Sequence, residues 1–425
     1  MSTPIPFGLL PDSAAVAADG SLTVGGCSLT DLAGSFGTPL FVYDEAHLRR
    51  RCREAVDAFG HQNVVYATKA FLCKAMARLA YDEGLLLDVA SGGELHVAMA
   101  AGVPANACTM HGNNKSLEEL RTALTLGVRQ VIVDSFDEMD RLDLLHGEGL
   151  AVPDTLLRIT PGVHAHTHEF IATGQDDSKF GFNLGNGDAM LAVNRASRSA
   201  SMHLVGLHCH IGSNVFAASH FAKAAEVMAN FAVPLDLPEL VLGGGLGVAY
   251  TVGEEAPTIT QWGNVLLDAC QALGVRSRVT VEPGRSIVAA GAITLYAVGT
   301  VKHIPGVRTY LAVDGGMSDN PRPVLYGSGY EAFLPRDVLA ERPAAVRVVG
   351  KHCESGDVLI FEALVPADVR VGDVLAMPVT GAYGHSMGSN YNKVTRPPVV
   401  FVGDGAARLV VRRETYDDLL ACDIG

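Results

Sequence analysis

Residues 204–213 read "LVGLHCHIGS". An apolar opening runs into two histidines and closes on glycine and serine. A short apolar run of this kind suits a strand buried on both faces, and its polar close suits the loop that follows. The same grammar recurs on either side. Before it come "VVYATK" (64–69), "LLLDVAS" (85–91), "ACTMHG" (107–112), "VIVDS" (131–135) and "LLRITPG" (156–162); after it come "LVLGGGLG" (240–247) and "VTVEPGR" (279–285). Helix-like stretches such as "SGGELHVAMAAG" and "SLEELRTALTLG" lie between, each opening on a capping serine and closing on glycine. Eight strand–helix units within about 230 residues predict a (β/α)8 barrel, with an open doubly wound sheet as the alternative.

The polar letters of these units fall in one place. Lys69, Ser91, His111, Arg158, His210, Ser213, Gly243 to Gly245 and Glu282 all sit at or just beyond predicted strand ends. Strand ends are often polar simply because the chain must turn. In a barrel, however, the loops after separate strands converge on one rim, and active sites lie there.

After residue 300 the grammar changes. "TYLAVDGG", "VRVVG" and "DVLIFEALVPADVRVGDVLAMP" are short strand-like runs broken by Gly/Asp turns, as in antiparallel β structure. The first forty residues contain similar runs, "SLTVGG" and "TPLFVYD". The division expected is a barrel over 41–300, with 1–40 and 301–425 joining in one β domain. A chain of 425 residues is long enough for two such cores.

Composition narrows the function classes. Lys and Arg number 32 against 46 Asp and Glu, a formal charge of −14, and no basic run occurs, which argues against nucleic acid or anionic membranes as partners. The opening "MSTPIPFGLL" lacks the features of a secretion signal, and no apolar run is long enough for a membrane span. Eight cysteines are scattered singly, without a CxxC pair, so reduced cytoplasmic thiols are expected, with neither a disulfide framework nor a metal site.

The rim residues have chemistry in common. Glycines in "GGGLG", the serine of "HIGS" and the "EPGR" loop could line an anion cup after strands six to eight. Lys69 is a solvated rim lysine or an imine-forming amine held in partly desolvated surroundings. A carboxylate such as Glu282 can hold a pyridine nitrogen in its protonated form, a charged hydrogen bond contributing about 1.5–3 kcal/mol. Lysine, anion cup and acid on one rim point to pyridoxal phosphate.

At this point the chain resembles the fold-type III pyridoxal-phosphate-dependent decarboxylases, and among them the diaminopimelate decarboxylase family of the actinobacterial kind. The resemblance rests on "YATKAF", "LDVASGGEL", "HGNNKS", "AHTHEFI", "KFGF", "GLHCHIGS", "GGGLG", "EPGRS", "DGGMSDNPRPVLY", "GKHCESGD", "TGAYGHSMGSNYN" and "RRETYDDLL", which cover nearly everything after residue 40 in the family's order. The chain departs from the family wording at "HIGSN", where glutamine is usual, and at "TGQDDSKFGF". The resemblance implies decarboxylation of meso-2,6-diaminopimelate to L-lysine, the last step of lysine biosynthesis. It implies that Lys69 carries the cofactor, that His210 stacks on its ring and that Glu282 holds the ring nitrogen. Ser213, Gly243, Gly244, Gly245, Pro283, Gly284 and Arg285 would complete the cofactor site. Arg285, Arg322, Tyr326 and Glu354 would bind substrate, and Tyr383 both substrate and cofactor. Arg322 and Tyr326 lie four apart in "RPVLY", and on a strand or turn they need not share a face.

Cys353 in "GKHCESGD" has a bland reading, since free cysteines are mostly buried and inert. The resemblance instead makes it the residue that protonates the carbanion. It further implies that Cys353 and Glu354 serve the other subunit of a homodimer, so that the β domain completes the active site. Other readings differ in substrate or class: a same-fold decarboxylase of ornithine, lysine, a D-amino acid or a siderophore or antibiotic precursor; a non-catalytic pyridoxal-phosphate carrier; and a cofactor-free aldolase using Lys69.

Overall fold

The computed structural model describes residues 3–162 and 177–425, so "AHTHEFI" lies outside the described residues. Two compact units are distinguished. One comprises Arg51–Gly247 and Ala256–Ser286, the other Met1–Arg50, Val248–Glu255 and Ile287–Gly425.

The first unit is the barrel. Its strands are Val65–Ala67, Leu86–Val89, Cys108–Met110, Gln130–Val133, Asp154–Thr160, His203–His208, Glu239–Val241 and Arg278–Thr280, hydrogen-bonded in that order and all parallel. A parallel bridge between Val64 and Val281 joins the first strand to the last and closes the sheet. Each of the eight apolar runs therefore contains a strand. Leu86–Val89 and Gln130–Val133 are buried at every position, as a sheet wrapped by helices requires. Ile132, Leu156, Val205 and Val241, from four adjacent strands, form one buried cluster.

Local chemistry sets the helix ends. Ser116 accepts from the Glu119 N–H while the Glu119 side chain accepts from the Ser116 N–H, and Gly127 ends Leu117–Leu126 in the left-handed region. Ser91 caps Gly92–Ala100 by accepting from the Glu94 N–H. The structure thus gives that rim serine a capping role, and such a cap contributes about 1 kcal/mol.

The second unit is built on a sheet in the order Val358–Val365, Ala344–Val349, Arg308–Val313, Ala292–Ile304, Leu40–Asp44, Val399–Gly403, Ala406–Val411, with Val374–Pro378 also paired to Ala292–Ile304. Most pairs are antiparallel; Leu40–Asp44 with Val399–Gly403 and Arg308–Val313 with Ala344–Val349 are parallel. "LFVYD", near the start of the chain, is a strand of this same sheet. The thirteen-residue strand Ala292–Ile304 makes this possible. Its first half pairs with Leu40–Asp44 and Val374–Pro378, and its second half with Arg308–Val313. A separate three-stranded sheet, Ala15–Val16, Leu22–Val24 and Cys27–Ser28, precedes it. Among the described residues no helix is long and apolar enough to cross a membrane.

Candidate active site

The barrel mouth collects a chain of ionisable groups. Lys69 lies in the one-turn helix Thr68–Ala70 that follows the first strand, its side chain 47% exposed. Its Nζ is 3.3 Å from Oδ2 of Asp88, a buried residue of the second strand. The other Asp88 oxygen lies 3.9 Å from Nε2 of His111, just past the third strand. His111 Nε2 is in turn 3.1 Å from Glu282 Oε1, and His208 Nε2 is 2.9 Å from Glu282 Oε2.

Glu282 is therefore a buried carboxylate flanked by two imidazoles. Burial alone pushes its acidity the wrong way, but the charges and hydrogen bonds of His208 and His111 outweigh burial and hold it well below the usual carboxylate range. It is an anion inside the barrel. The ligating atoms of His111, His208 and Glu282 also lie within 4.8 Å of one another, a grouping that a cation could use. His208 Nε2 hydrogen-bonds one carboxylate oxygen, and His111 Nε2 lies 3.1 Å from the other, so each oxygen of Glu282 faces an imidazole nitrogen.

His210 is differently placed. Burial first, then the charges of Lys69 and Arg158, push it well below the ordinary histidine value, so it is neutral. Its Nδ1 accepts from the Gly244 N–H at 3.2 Å. Arg158 lies within its strand, short of the end, with its guanidinium 4.1 Å from the Phe180 ring centre and 3.7 Å from Asp134.

The glycines bring three loops together. A Cβ on Gly244 would stand 2.0 Å from the Glu282 carbonyl oxygen, and one on Gly245, whose φ is +104°, would stand 2.2 Å from that of Gly212. Gly284 packs against the lysine turn less closely, its Cβ position 3.0 Å from Ala67, while the Pro283 carbonyl accepts from the Ala67 N–H at 3.1 Å. Gly243 completes the set: its carbonyl accepts from the Glu282 N–H at 2.7 Å. Arg285 is buried and donates to Ser213 Oγ at 2.9 Å. The loops after strands one, six, seven and eight thus meet at one end of the barrel.

The second unit carries the remaining predicted residues. "RPVLY" forms the short helix Arg322–Tyr326, with proline in its first turn. The segment is a helix rather than the strand or turn considered from sequence, and residues four apart share a helix face, so Arg322 and Tyr326 lie on the same side of it. Arg322 is 3% exposed. Its Nη1 donates to Tyr330 Oη at 2.5 Å, and its guanidinium carbon lies 4.3 Å from the centre of the Tyr250 ring. Among the described residues no carboxylate pairs with it. Burial opposes its charge, yet Tyr250, Tyr330 and the Tyr330 hydrogen bond outweigh that, and the net shift is upward.

Cys353 is exposed, unlike the buried Cys52, Cys73, Cys108, Cys209 and Cys270, so packing does not explain it. Its N–H donates to Asn392 Oδ1 at 3.0 Å, and Asn392 holds a left-handed φ of +52°. The loop is tied beneath by Asp357, which accepts from the Met317 and His352 N–H groups. Glu354 is exposed beside Cys353. Tyr383 also adopts a positive φ, +60°, a conformation costly for a bulky side chain and concentrated at functional positions.

Sequence reading passed over Asp88, His208, Tyr250, Tyr330 and Asn392, and saw His111 without giving it a partner. The H-x-H spacing of His208 and His210 was the available signal. The others become visible only when separate loops meet.

Residues 45–289 match the family described as pyridoxal-dependent decarboxylase, pyridoxal binding domain. Diaminopimelate decarboxylase of Mycobacterium tuberculosis is 47% identical over 425 residues, 95% of this chain and 95% of that protein. The Bacillus subtilis diaminopimelate decarboxylase is 46% identical over 420 residues, again 95% of each. Among solved structures, diaminopimelate decarboxylase from M. jannaschii in complex with L-lysine superimposes with a TM-score of 0.91 at 32% identity, covering 98% of both chains.

Proposed function

The chain belongs to the diaminopimelate decarboxylase family of pyridoxal-dependent decarboxylases, and from that premise we propose that it converts meso-2,6-diaminopimelate to L-lysine and CO2, the last step of lysine biosynthesis. The barrel mouth fits pyridoxal phosphate in charge and shape. An exposed amine stands at one strand end, a buried anion at another, and the glycine-framed loops close around Ser213 and Arg285. When bound, the cofactor supplies the electron sink that takes up the pair left by departing CO2.

Lys69 would carry the cofactor and later help to release product. Glu282, kept anionic by His111 and His208, would hold the ring nitrogen in its protonated form, and His210 would stack on the ring. Ser213, Gly244, Gly245 and Gly284 would contact the phosphate, and Gly243, Pro283 and Arg285 would complete the cofactor site. Arg285, Arg322, Tyr326 and Tyr383 orient the substrate, and Glu354 takes its distal ammonium. The Cα–carboxylate bond breaks, its electron pair stays at Cα, and Cys353 Sγ–H returns a proton to that carbon. Cys353 and Glu354 act in the partner subunit's site of a homodimer. A cytoplasmic location is part of this proposal, and eight cysteines without a disulfide support it.

Arg322 carries the substrate assignment. A guanidinium buried without an acidic partner is costly unless an anion completes it, and its planar fork matches a carboxylate. Diaminopimelate keeps a carboxylate at the end that does not react, whereas ornithine and D-lysine have none there. The test is CO2 release by cofactor-loaded protein offered meso-diaminopimelate, L-ornithine, L-lysine and D-lysine separately. Release from diaminopimelate alone is expected, and Lys69→Ala should abolish it. Release from ornithine or D-lysine at a comparable rate would overturn the substrate, and turnover by Lys69→Ala would overturn the mechanism.

A further inference from the structure

We infer that Tyr250 and Tyr330 are positioning residues that clamp the Arg322 guanidinium and thereby set the preference for a ligand with a distal carboxylate; this rests on the reading of Arg322 given above. Tyr250 presents its ring to the guanidinium, with 4.3 Å from the arginine carbon to the ring centre. Tyr330 accepts a hydrogen bond from Nη1, and its ring centre lies 5.5 Å from the same carbon. The two tyrosine rings meet edge to face at 5.4 Å and an interplanar angle of 80°. All three side chains are at least nine-tenths buried. The guanidinium plane is fixed from its face by one ring and along one N–H by the other phenol. A carboxylate-binding fork needs that kind of restraint, because two parallel hydrogen bonds form only when the plane is held in register.

The scaffold beneath the clamp is itself tied down. Tyr250 opens a turn in which the Glu254 carboxylate accepts from the N–H groups of Tyr250 and Thr251, at 2.7 and 3.1 Å. Glu331, next to Tyr330, accepts from the Val252 N–H at 3.1 Å and pairs with the buried Arg342 at 2.8 Å. A Cβ on Gly329 would stand 2.9 Å from Thr251 Cγ2, so the two tyrosine-bearing segments are in direct contact. Neither tyrosine donates to reacting atoms in this scheme. They act through Arg322.

The experiment compares two competitive inhibitors that differ by the one carboxylate, L-lysine and 1,5-diaminopentane, with the cofactor-loaded enzyme and meso-diaminopimelate as substrate. Tyr250→Leu removes the ring and should weaken L-lysine inhibition about tenfold, the scale of a desolvated cation–π contact. Inhibition by 1,5-diaminopentane should stay within about twofold, since it offers Arg322 nothing to bind. Tyr250→Phe should restore native values. Tyr330→Phe, which keeps the ring and loses the hydroxyl, should give a smaller loss confined to L-lysine, and it decides the matter if Tyr250→Leu does not fold. Arg322→Lys separates this inference from its premise. If Arg322→Lys weakens L-lysine selectively while the tyrosine variants affect both inhibitors alike or neither, the clamp is wrong and the substrate reading stands. If Arg322→Lys does not distinguish the two inhibitors, the distal-carboxylate reading falls and the clamp with it.

Discussion

The carboxyl of Asp319 lies inside the second unit, accepting from the Tyr296 hydroxyl and the Gly316 N–H. Burial, with the charges of Asp314 and Asp357 behind it, pushes its pKa up to about 7 against the two hydrogen bonds. The folded chain therefore binds a proton there that the unfolded chain, with a carboxyl near the ordinary value of about 3.9, releases. Stability from this group is full below that unfolded value and is lost as pH rises through about 7. Asp319→Asn, which cannot ionise, should gain in melting temperature relative to the native protein between pH 5 and pH 9; a constant difference across that range would show that Asp319 does not titrate. The residue also illustrates what a letter conceals. In "DGGMSDNPRP" nothing separates Asp319 from a solvated loop acid, because its ionisation depends on a tyrosine twenty-three positions away. Lys69, Glu282 and Cys353 were readable because their motif neighbours are local. Tyr250 was not, since its significance lies in a ring contact with Arg322, more than seventy residues on.

Among the elements, the barrel strands follow from short apolar runs, and the starts of Gly92–Ala100, Leu117–Leu126 and Phe136–Gly147 from their serine caps. The loop after the third strand holds a further device. Lys115 of "HGNNKS" is fully buried and donates to the carbonyls of Gly112 and Ile132 and to Glu138 Oε1, at 2.7, 2.6 and 2.7 Å. Glu138 also accepts from the Asp134 N–H. One ammonium thus fastens this loop to the fourth strand and to the helix Phe136–Gly147. Lys115→Met should cost about 3–5 kcal/mol in denaturant unfolding, because Glu138 is left buried without its cation. The double variant with Glu138→Leu should recover much of that loss, and a single-variant cost under about 1 kcal/mol would refute the assignment. Sequence reading placed "HGNNKS" by motif alone, since a lysine in a polar loop looks solvated until the fold encloses it. "RPVLY" is the opposite case. Its proline, Pro323, suits a turn as well as a helix start, and in a first helical turn it costs nothing; the chain takes that option.

For the whole molecule, the proposal that Cys353 and Glu354 serve the partner's site has a direct consequence. Neither Lys69→Ala nor Cys353→Ala homodimers should turn over at an appreciable rate. Subunits mixed, dissociated and reassociated should regain about a quarter of native activity, because half the dimers are mixed and each then holds one intact site. No recovery, with mixed dimers demonstrated, would place Cys353 in the site of its own subunit. The sequence by itself determined the eight-strand barrel, the later β region and the family, because each is written in short-range patterns of burial, turn residues and contiguous motifs. It also marked most residues of the proposed site. Only the tertiary structure decided that Leu40–Asp44 enters the sheet of the tail, that His111 and His208 flank Glu282, and that Tyr250 covers Arg322. Those facts depend on which distant segments meet, and ring closure at Val64 and Val281 is what brings the third, sixth and eighth strands to one carboxylate. A periodic pattern records that a residue is buried, but the identity of its neighbour is a property of the closed sheet.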